Sequence, residues 1–237
     1  MINKELFIKY LNEKEIVLDD EQINKFEKFK DLLIEWNEKI NLTTITDENE
    51  ILIKHFIDSL IPLKYIEDGA KVLDMGTGAG FPGIPTKIAK PDIDITLVDA
   101  VNKKITYLND VKEKLELKNI ELIHSRAEAL ARDKKYRESF DIVISRALAN
   151  MSTLSEYLLP FLKLSGKAIY IKGPNIEQEL EESKKCIELM GGKIIKIEKY
   201  TLPTIDLEYN LVIIEKIKNT PKEYPRKEGT PSSKPIK

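Results

Sequence analysis

Asp74, Gly76, Gly78 and Gly80 stand at alternate positions within residues 72–85, VLDMGTGAGFPGIP. An apolar run closing on a carboxylate, then three glycines, then Pro82, reads as strand, tight turn and helix start. Glycine lets the turn take positive φ and fold closely over a ligand with no Cβ in the way. Pro82 pre-sets φ for the first helical turn and lacks an N–H that would be orphaned there. The helix start then presents free N–H groups to the ligand. Such a unit binds adenine-containing cofactors in doubly wound α/β domains.

Two cofactors compete for it. Gly78, Gly80 and Gly83 fit the dinucleotide fingerprint of NAD enzymes. The spacing of Asp74, Gly76, Gly78 and Gly80 more closely resembles the nucleotide loop of S-adenosylmethionine (SAM) methyltransferases. SAM carries no pyrophosphate, so a carboxylate at Asp74 can hold the methionine ammonium without repelling a phosphate. The same side chain can instead cap its own loop.

In open parallel sheets ligands sit beyond the carboxyl ends of the strands, where strand order reverses. Asp99 ends the second strand, 23 positions after Gly76, placed to accept both ribose hydroxyls or to cap the next helix. Ser125, Arg126, Ala127 and Glu128 follow the third strand, set either to read the adenine edge or to start a short helix with an acidic first turn. Arg146, between Ser145 and Ala147 after the fourth strand, stands where methyl donor and acceptor should meet. Its planar fork suits the SAM carboxylate, an RNA phosphate or a plain ion pair. Lys172 ends the fifth strand before Gly173 and Pro174, where it suits a phosphate. Arg146 and Lys172 are therefore positioning candidates, and no residue stands out as catalytic acid, base or nucleophile.

What is missing narrows the acceptor. The Asn/Asp-Pro-Pro-aromatic run of many exocyclic-amine methyltransferases is replaced here by Ser-Arg-Ala-Leu at residues 145–148. Attack on cytosine C5 needs a cysteine nucleophile, and Cys186, the single cysteine, falls on a predicted helix far from the strand ends. An acceptor with its own lone pair, such as guanine N7, fits what remains.

The elements that must carry these residues follow from periodicity. Helices are predicted over 2–15, 19–41 and 48–60, with Asp19 or Asp20 as an N-cap and Pro62 as a stop. Strands are predicted at 71–75, 94–98, 119–124, 140–145, 166–172, 192–200 and 209–217, and helices at about 82–89, 101–116, 126–132, 151–163 and 175–190. This alternation implies a mostly parallel seven-stranded sheet with right-handed crossovers. The last two strands have no helix between them and predict a terminal hairpin with one antiparallel strand.

Residues 1–68 are expected to form a helical cap, 69–218 the SAM-binding domain, and 219–237, with four prolines and five basic residues, a flexible basic tail. The chain of 237 residues, 42% hydrophobic, has room for one such domain and a modest extension. No apolar run approaches ~18 residues, so no membrane span is expected. Lys4 and Glu5 interrupt any signal-peptide core. One cysteine and no Cys/His cluster predict neither disulfide nor metal, and a cytoplasmic protein. Net charge is −2, split into −7 over residues 1–68 and +5 over 69–237, so any grip on RNA should come from the latter.

Taken in order, Trp36-Asn37, Asn41-Leu42-Thr43, His55, Asp58-Ser59-Leu60, residues 74–85, residues 125–128, residues 143–147, Lys172-Gly173 and the tail from Thr220 to Pro231 resemble the RsmG (GidB) family. The resemblance runs nearly end to end. It implies the class I SAM-dependent methyltransferase fold, Rossmann-like, with an N-terminal helical extension. It also implies methylation of guanine N7 in small-subunit (16S) ribosomal RNA, free or in a partly assembled 30S particle. By position it implies SAM contacts at Gly76, Phe81, Ala127, Glu128 and Arg146, with Phe81 packing on the cofactor. Three other functions remain open on sequence: a SAM-dependent enzyme for a small molecule or protein, an NAD-dependent oxidoreductase, and an rRNA-binding assembly factor that senses SAM.

Overall fold

The computed structural model describes residues 3–146 and 148–237; Ala147 of the Ser-Arg-Ala motif lies outside them. Helices α1 (Lys4–Glu13) and α2 (Asp20–Asn37) come first. Asp19 caps α2 in a capping box with Gln22, each side chain satisfying an N–H the helix cannot. A third helical run changes winding as it goes. It starts as α3 (Glu48–Glu50), turns π-helical over Ile51–Ile57, returns to α in α4 (Asp58–Leu60) and ends as a 3-10 turn over Ile61–Tyr65.

The α/β part follows as β1 (Lys71–Met75), α5 (Gly83–Ala89), β2 (Asp94–Asp99), α6 (Asn102–Lys114), β3 (Ile120–His124), α7 (Ala127–Leu130), β4 (Phe140–Arg146), α8 (Met151–Leu158), β5 (Leu162–Lys172), α9 (Glu177–Leu189), β6 (Gly192–Leu202) and β7 (Ile205–Lys216), with α10 (Thr230–Ser233) in the C-terminal segment. Sheet order is β3-β2-β1-β4-β5-β7-β6. Pairings from β3 to β5 are parallel, while β7 runs antiparallel to both β5 and β6. The order reverses between β1 and β4, which opens a crevice at their carboxyl ends.

Alternation along the strands divides the core between the two faces of the sheet. Val72, Ile142 and Ile144 pack with the aromatic cluster of the N-terminal helices, Phe7, Phe26, Phe29 and Phe56. Leu73 and Val143 pack on the opposite side with Met151, Leu154 and Phe161. Gln22 fastens α2 to the end of α5 by donating to the carbonyls of Ile88 and Ala89 at 3.0 and 3.1 Å. Trp36 fastens it to α6 by donating to Asp110 Oδ2 at 2.7 Å.

Two sequence expectations need correction. Pro82 does not open the first helical turn: α5 begins at Gly83, and Pro82, after a cis peptide bond, occupies the N-cap. Residues 219–237 do not form a solvated tail. Arg137 donates to the carbonyls of Thr220, Pro221 and Tyr224 at 2.8 to 3.2 Å, and Arg132 to that of Pro225 at 2.7 Å. Arg226 forks onto the buried Glu156 carboxylate, and Tyr224 and Ile236 pack on the second core cluster. Prolines remove N–H donors but leave carbonyls that still need partners. Here the body of the protein supplies those partners as arginines.

Candidate active site

The turn after β1 is tied to β2, with the N–H groups of Gly76 and Thr77 both donating to Val98 O, at 2.8 and 3.1 Å. Its glycines serve different ends. Gly76 has φ +72, which a side chain rarely adopts, and a Cβ there would fall 2.4 Å from Leu148 Cδ1, the tip of an exposed side chain. A Cβ on Gly78 would meet nothing nearer than 3.9 Å. Gly78 has φ +60, and the space over it is open for a ligand to approach the backbone.

Asp74 lies beneath this turn and does not line the cavity above it. Its Oδ2 accepts from Thr77 Oγ1 at 2.6 Å and from Gly83 N at 2.9 Å. The helix-start N–H expected to face a ligand is therefore already taken. Oδ1 is buried with no hydrogen-bond partner among the described residues. Burial pushes the Asp74 carboxyl up to about 7, against those two hydrogen bonds. What is left unsatisfied there is one buried acceptor that has no wall on the cavity.

Asp99 combines the two roles open on sequence. Gly78 N donates to its Oδ2 at 2.9 Å and Val101 N to its Oδ1 at 2.8 Å, so it braces the glycine turn and the entry to α6. It also lines a cavity of about 430 Å³ at the β1/β4 crevice, together with Gly76, Lys104, Ala127, Glu128 and Arg146. Ser125, Arg126, Leu148, Tyr157 and Ser232 also line it. A larger groove of about 810 Å³, between residues 14–18 and β6, contains none of the candidate cofactor residues.

Arg146 bridges the cavity and the N-terminal helices. Its Nη1 donates to Lys54 O at 2.7 Å and to Asp58 Oδ2 at 3.1 Å, and its Nη2 to His55 Nδ1 at 3.1 Å. Because guanidinium can only donate, His55 Nδ1 is the acceptor and its Nε2–H faces Thr43 Oγ1 at 2.9 Å. Asn37 shapes that turn through Leu42 N and Thr43 N, and the Tyr200 hydroxyl of β6 donates to Asp58 Oδ1. Burial, joined by the Arg146 charge, holds the His55 imidazole down to about 3. Burial raises the Asp58 carboxyl, opposed by Arg146 and Tyr200. Three of Arg146's five N–H donors are used in this clamp.

Phe81 departs from expectation. Its ring stacks on His55 at 4.4 Å between centroids and lies under the Arg146 guanidinium at 5.1 Å, packed against Phe29 and Phe56. It is a floor for the clamp and not a wall of the cavity. Lys172 is also drawn away: its Nζ lies 2.6 Å from Glu179 Oε2 and 3.2 Å from Ala149 O. Cys186 is buried in α9 with its thiol pushed up by burial to about 11, which leaves it inert. Tyr157 and Ser232 were not legible as site residues, since neither residue type nor a strand end marks them, and Leu148, though it closes the run after β4, carries no polar group to single it out.

No helix among the described residues is long and apolar enough to cross a membrane. The family model described as rRNA small subunit methyltransferase G (GidB) matches residues 22–207. Curated proteins named Ribosomal RNA small subunit methyltransferase G are similar over nearly the whole chain. That of Clostridium perfringens (strain SM101 / Type A) is 52% identical over 221 residues, 92% of each chain. That of Lactobacillus helveticus (strain DPC 4571) is 49% identical over 239 residues, 99% of this chain and 100% of the relative. Among solved structures, a SAM dependent methyltransferase from Aquifex aeolicus aligns with TM-score 0.53 at 18% identity, covering 77% of this chain and 98% of its own. M. jannaschii TYW2 in complex with AdoMet aligns with TM-score 0.50 at 19% identity, covering 68% and 76%. The fold is thus that of the SAM-dependent methyltransferases, and the chain belongs to the rRNA small subunit methyltransferase G (GidB) family.

Proposed function

We propose that the cavity at the β1/β4 crevice holds SAM and that the protein methylates N7 of a guanine in small-subunit (16S) ribosomal RNA, in the cytoplasm. One observation carries the acceptor's chemistry. The polar side chains around the cavity are two carboxylates bound to backbone N–H groups, Asp99 and Glu128, the cations Lys104, Arg126 and Arg146, and the hydroxyls of Ser125, Tyr157 and Ser232. There is no cysteine nucleophile and no histidine base among them. Methylation at guanine N7 needs neither, because the nitrogen brings its own lone pair and loses no proton.

When bound, SAM supplies an electrophilic sulfonium methyl group. Asp99 would accept from the ribose hydroxyls while keeping its two backbone donors. Ala127 and Glu128 would face the adenine. Arg146 has two N–H donors left for the methionine carboxylate. Holding N7 in line with the methyl carbon is then the main source of rate, and excluding water sharpens the fixed dipoles around the moving charge. Incubating the protein and labelled SAM with 16S rRNA, naked and in partly assembled 30S particles, should place one label at a guanine N7. No incorporation, or label on an exocyclic amine or a C5 carbon, would overturn the assignment.

A further inference from the structure

The C-terminal segment reaches the cofactor cavity and touches the residues on its adenine side. Gly229 N donates to Glu128 Oε1 at 2.9 Å, and Glu128 is only 4% exposed. Tyr157 and Ser232 line the cavity together with Glu128. Outside, Arg126 Nε pairs with Glu228 Oε1 at 2.6 Å, both side chains being more than half exposed.

How the segment is fastened separates anchor from tip. On one side Arg226 meets Glu156 through its backbone N–H, Nε and Nη2 at 2.7 to 3.1 Å, on a carboxylate 1% exposed. On the other, Thr153 Oγ1 donates to Pro231 O at 2.9 Å in the buried region under α8, and Ser152 Oγ donates to Ile236 O. Between Arg226 and Pro231 the tip's polar contacts among the described residues are Gly229 on Glu128, Glu228 on Arg126 and turn bonds of its own. Buried charged pairs resist separation, whereas an exposed ion pair contributes little. The tip can therefore move while its anchors hold.

We infer that residues 228–232 form the outer wall of the cofactor cavity and position Glu128 for the adenosine half of SAM. This rests on the reading of the cavity as the SAM site. A carboxylate accepts up to about four hydrogen bonds, so Glu128 keeps acceptor capacity for an adenine amine or a ribose hydroxyl while Gly229 fixes its direction. The strap sets cofactor affinity. Arg146 is left for the methionine end of the cofactor.

Ser232→Trp tests this, because residue 232 is exposed on its outer side and an indole there would crowd the cavity without entering the core. Titration calorimetry with SAM, and separately with adenosine, on parent and Ser232→Trp should show both ligands weakened tenfold or more by Trp, while Lys227→Ala, at an exposed position of the same segment that does not line the cavity, leaves both unchanged. Melting temperatures should match. In turnover Ser232→Trp should raise the KM for SAM and keep kcat. Glu228→Lys, set against Arg126, should weaken SAM by a few fold, and SAM should slow hydrogen exchange at the Gly229 amide. Parent-like SAM affinity in Ser232→Trp, or unchanged exchange at Gly229, would overturn the strap alone. A parent protein that takes no SAM would overturn the cofactor reading and the strap with it.

Discussion

Arg146 joins two functions in one side chain. Its guanidinium is largely buried between the Asp58 carboxylate, the His55 imidazole and the Phe81 ring, yet it borders the cavity. Arg146→Ala leaves Asp58 charged and nearly without solvent, so unfolding in denaturant should show a loss of about 3–5 kcal/mol. SAM affinity should fall with it. Arg146→Lys restores the charge but not the fork, and should recover only part of each. RNA affinity should keep its salt dependence, because an internal guanidinium releases few counterions. A variant with native stability and SAM affinity, but a salt slope shallower by about one, would place Arg146 on an RNA phosphate instead. Asp99, Glu128 and Arg146 were legible because strand ends in a parallel sheet converge. Phe81 and Lys172 were not. Which way Phe81 points depends on Phe29, Phe56 and His55, and Lys172 is captured by Glu179 from the next helix.

At the scale of elements, the helical run over residues 48–60 was predictable and its π-helical stretch was not. Ile51, Leu52 and Ile53 are buried in succession, so they mark no face from which a change of winding could be read. That stretch presents Lys54 O and His55 to Arg146, with Asp58 in the turn that follows. The clamp makes stability depend on pH. In the unfolded chain His55 titrates near its usual 6.5, and in the folded chain near 3. Its depressed value means that the stabilisation is complete above 6.5 and is lost as pH falls towards 3, because the unfolded chain takes up a proton that the folded chain refuses. The slope for one such group is about 1.4 kcal/mol per pH unit. Denaturant unfolding of parent and His55→Gln between pH 7.5 and 5 should show that slope in the parent beyond whatever the variant retains. Parallel pH profiles would mean that His55 is protonated in the folded clamp.

For the whole molecule, the N-terminal helices and the sheet share one core. Phe29 on α2 stacks on Phe56 at 5.7 Å and meets Phe81 of the glycine turn at 5.3 Å, while Val72, Ile142 and Ile144 pack in the same cluster. Amphipathic spacing along α2 made a buried face legible, though not its partner. Nor could composition reveal that the proline-rich C-terminal segment would dock, because its anchors Arg132, Arg137 and Glu156 lie 70 to 93 residues away in sequence. A cap built this way should not unfold by itself. Phe29→Ala should cost about 3–5 kcal/mol, the range for a fully buried phenylalanine, and should move one transition for the entire chain. Trp36, the single tryptophan, sits between α2 and α6, 5.8 Å from the Tyr107 ring, and reports on the joint between cap and sheet. Its fluorescence and the far-ultraviolet circular dichroism should lose their native signals at the same denaturant concentration, in parent and variant alike. Fluorescence running ahead of the dichroism in Phe29→Ala would instead mean that the helices detach first and that the α/β part stands without them.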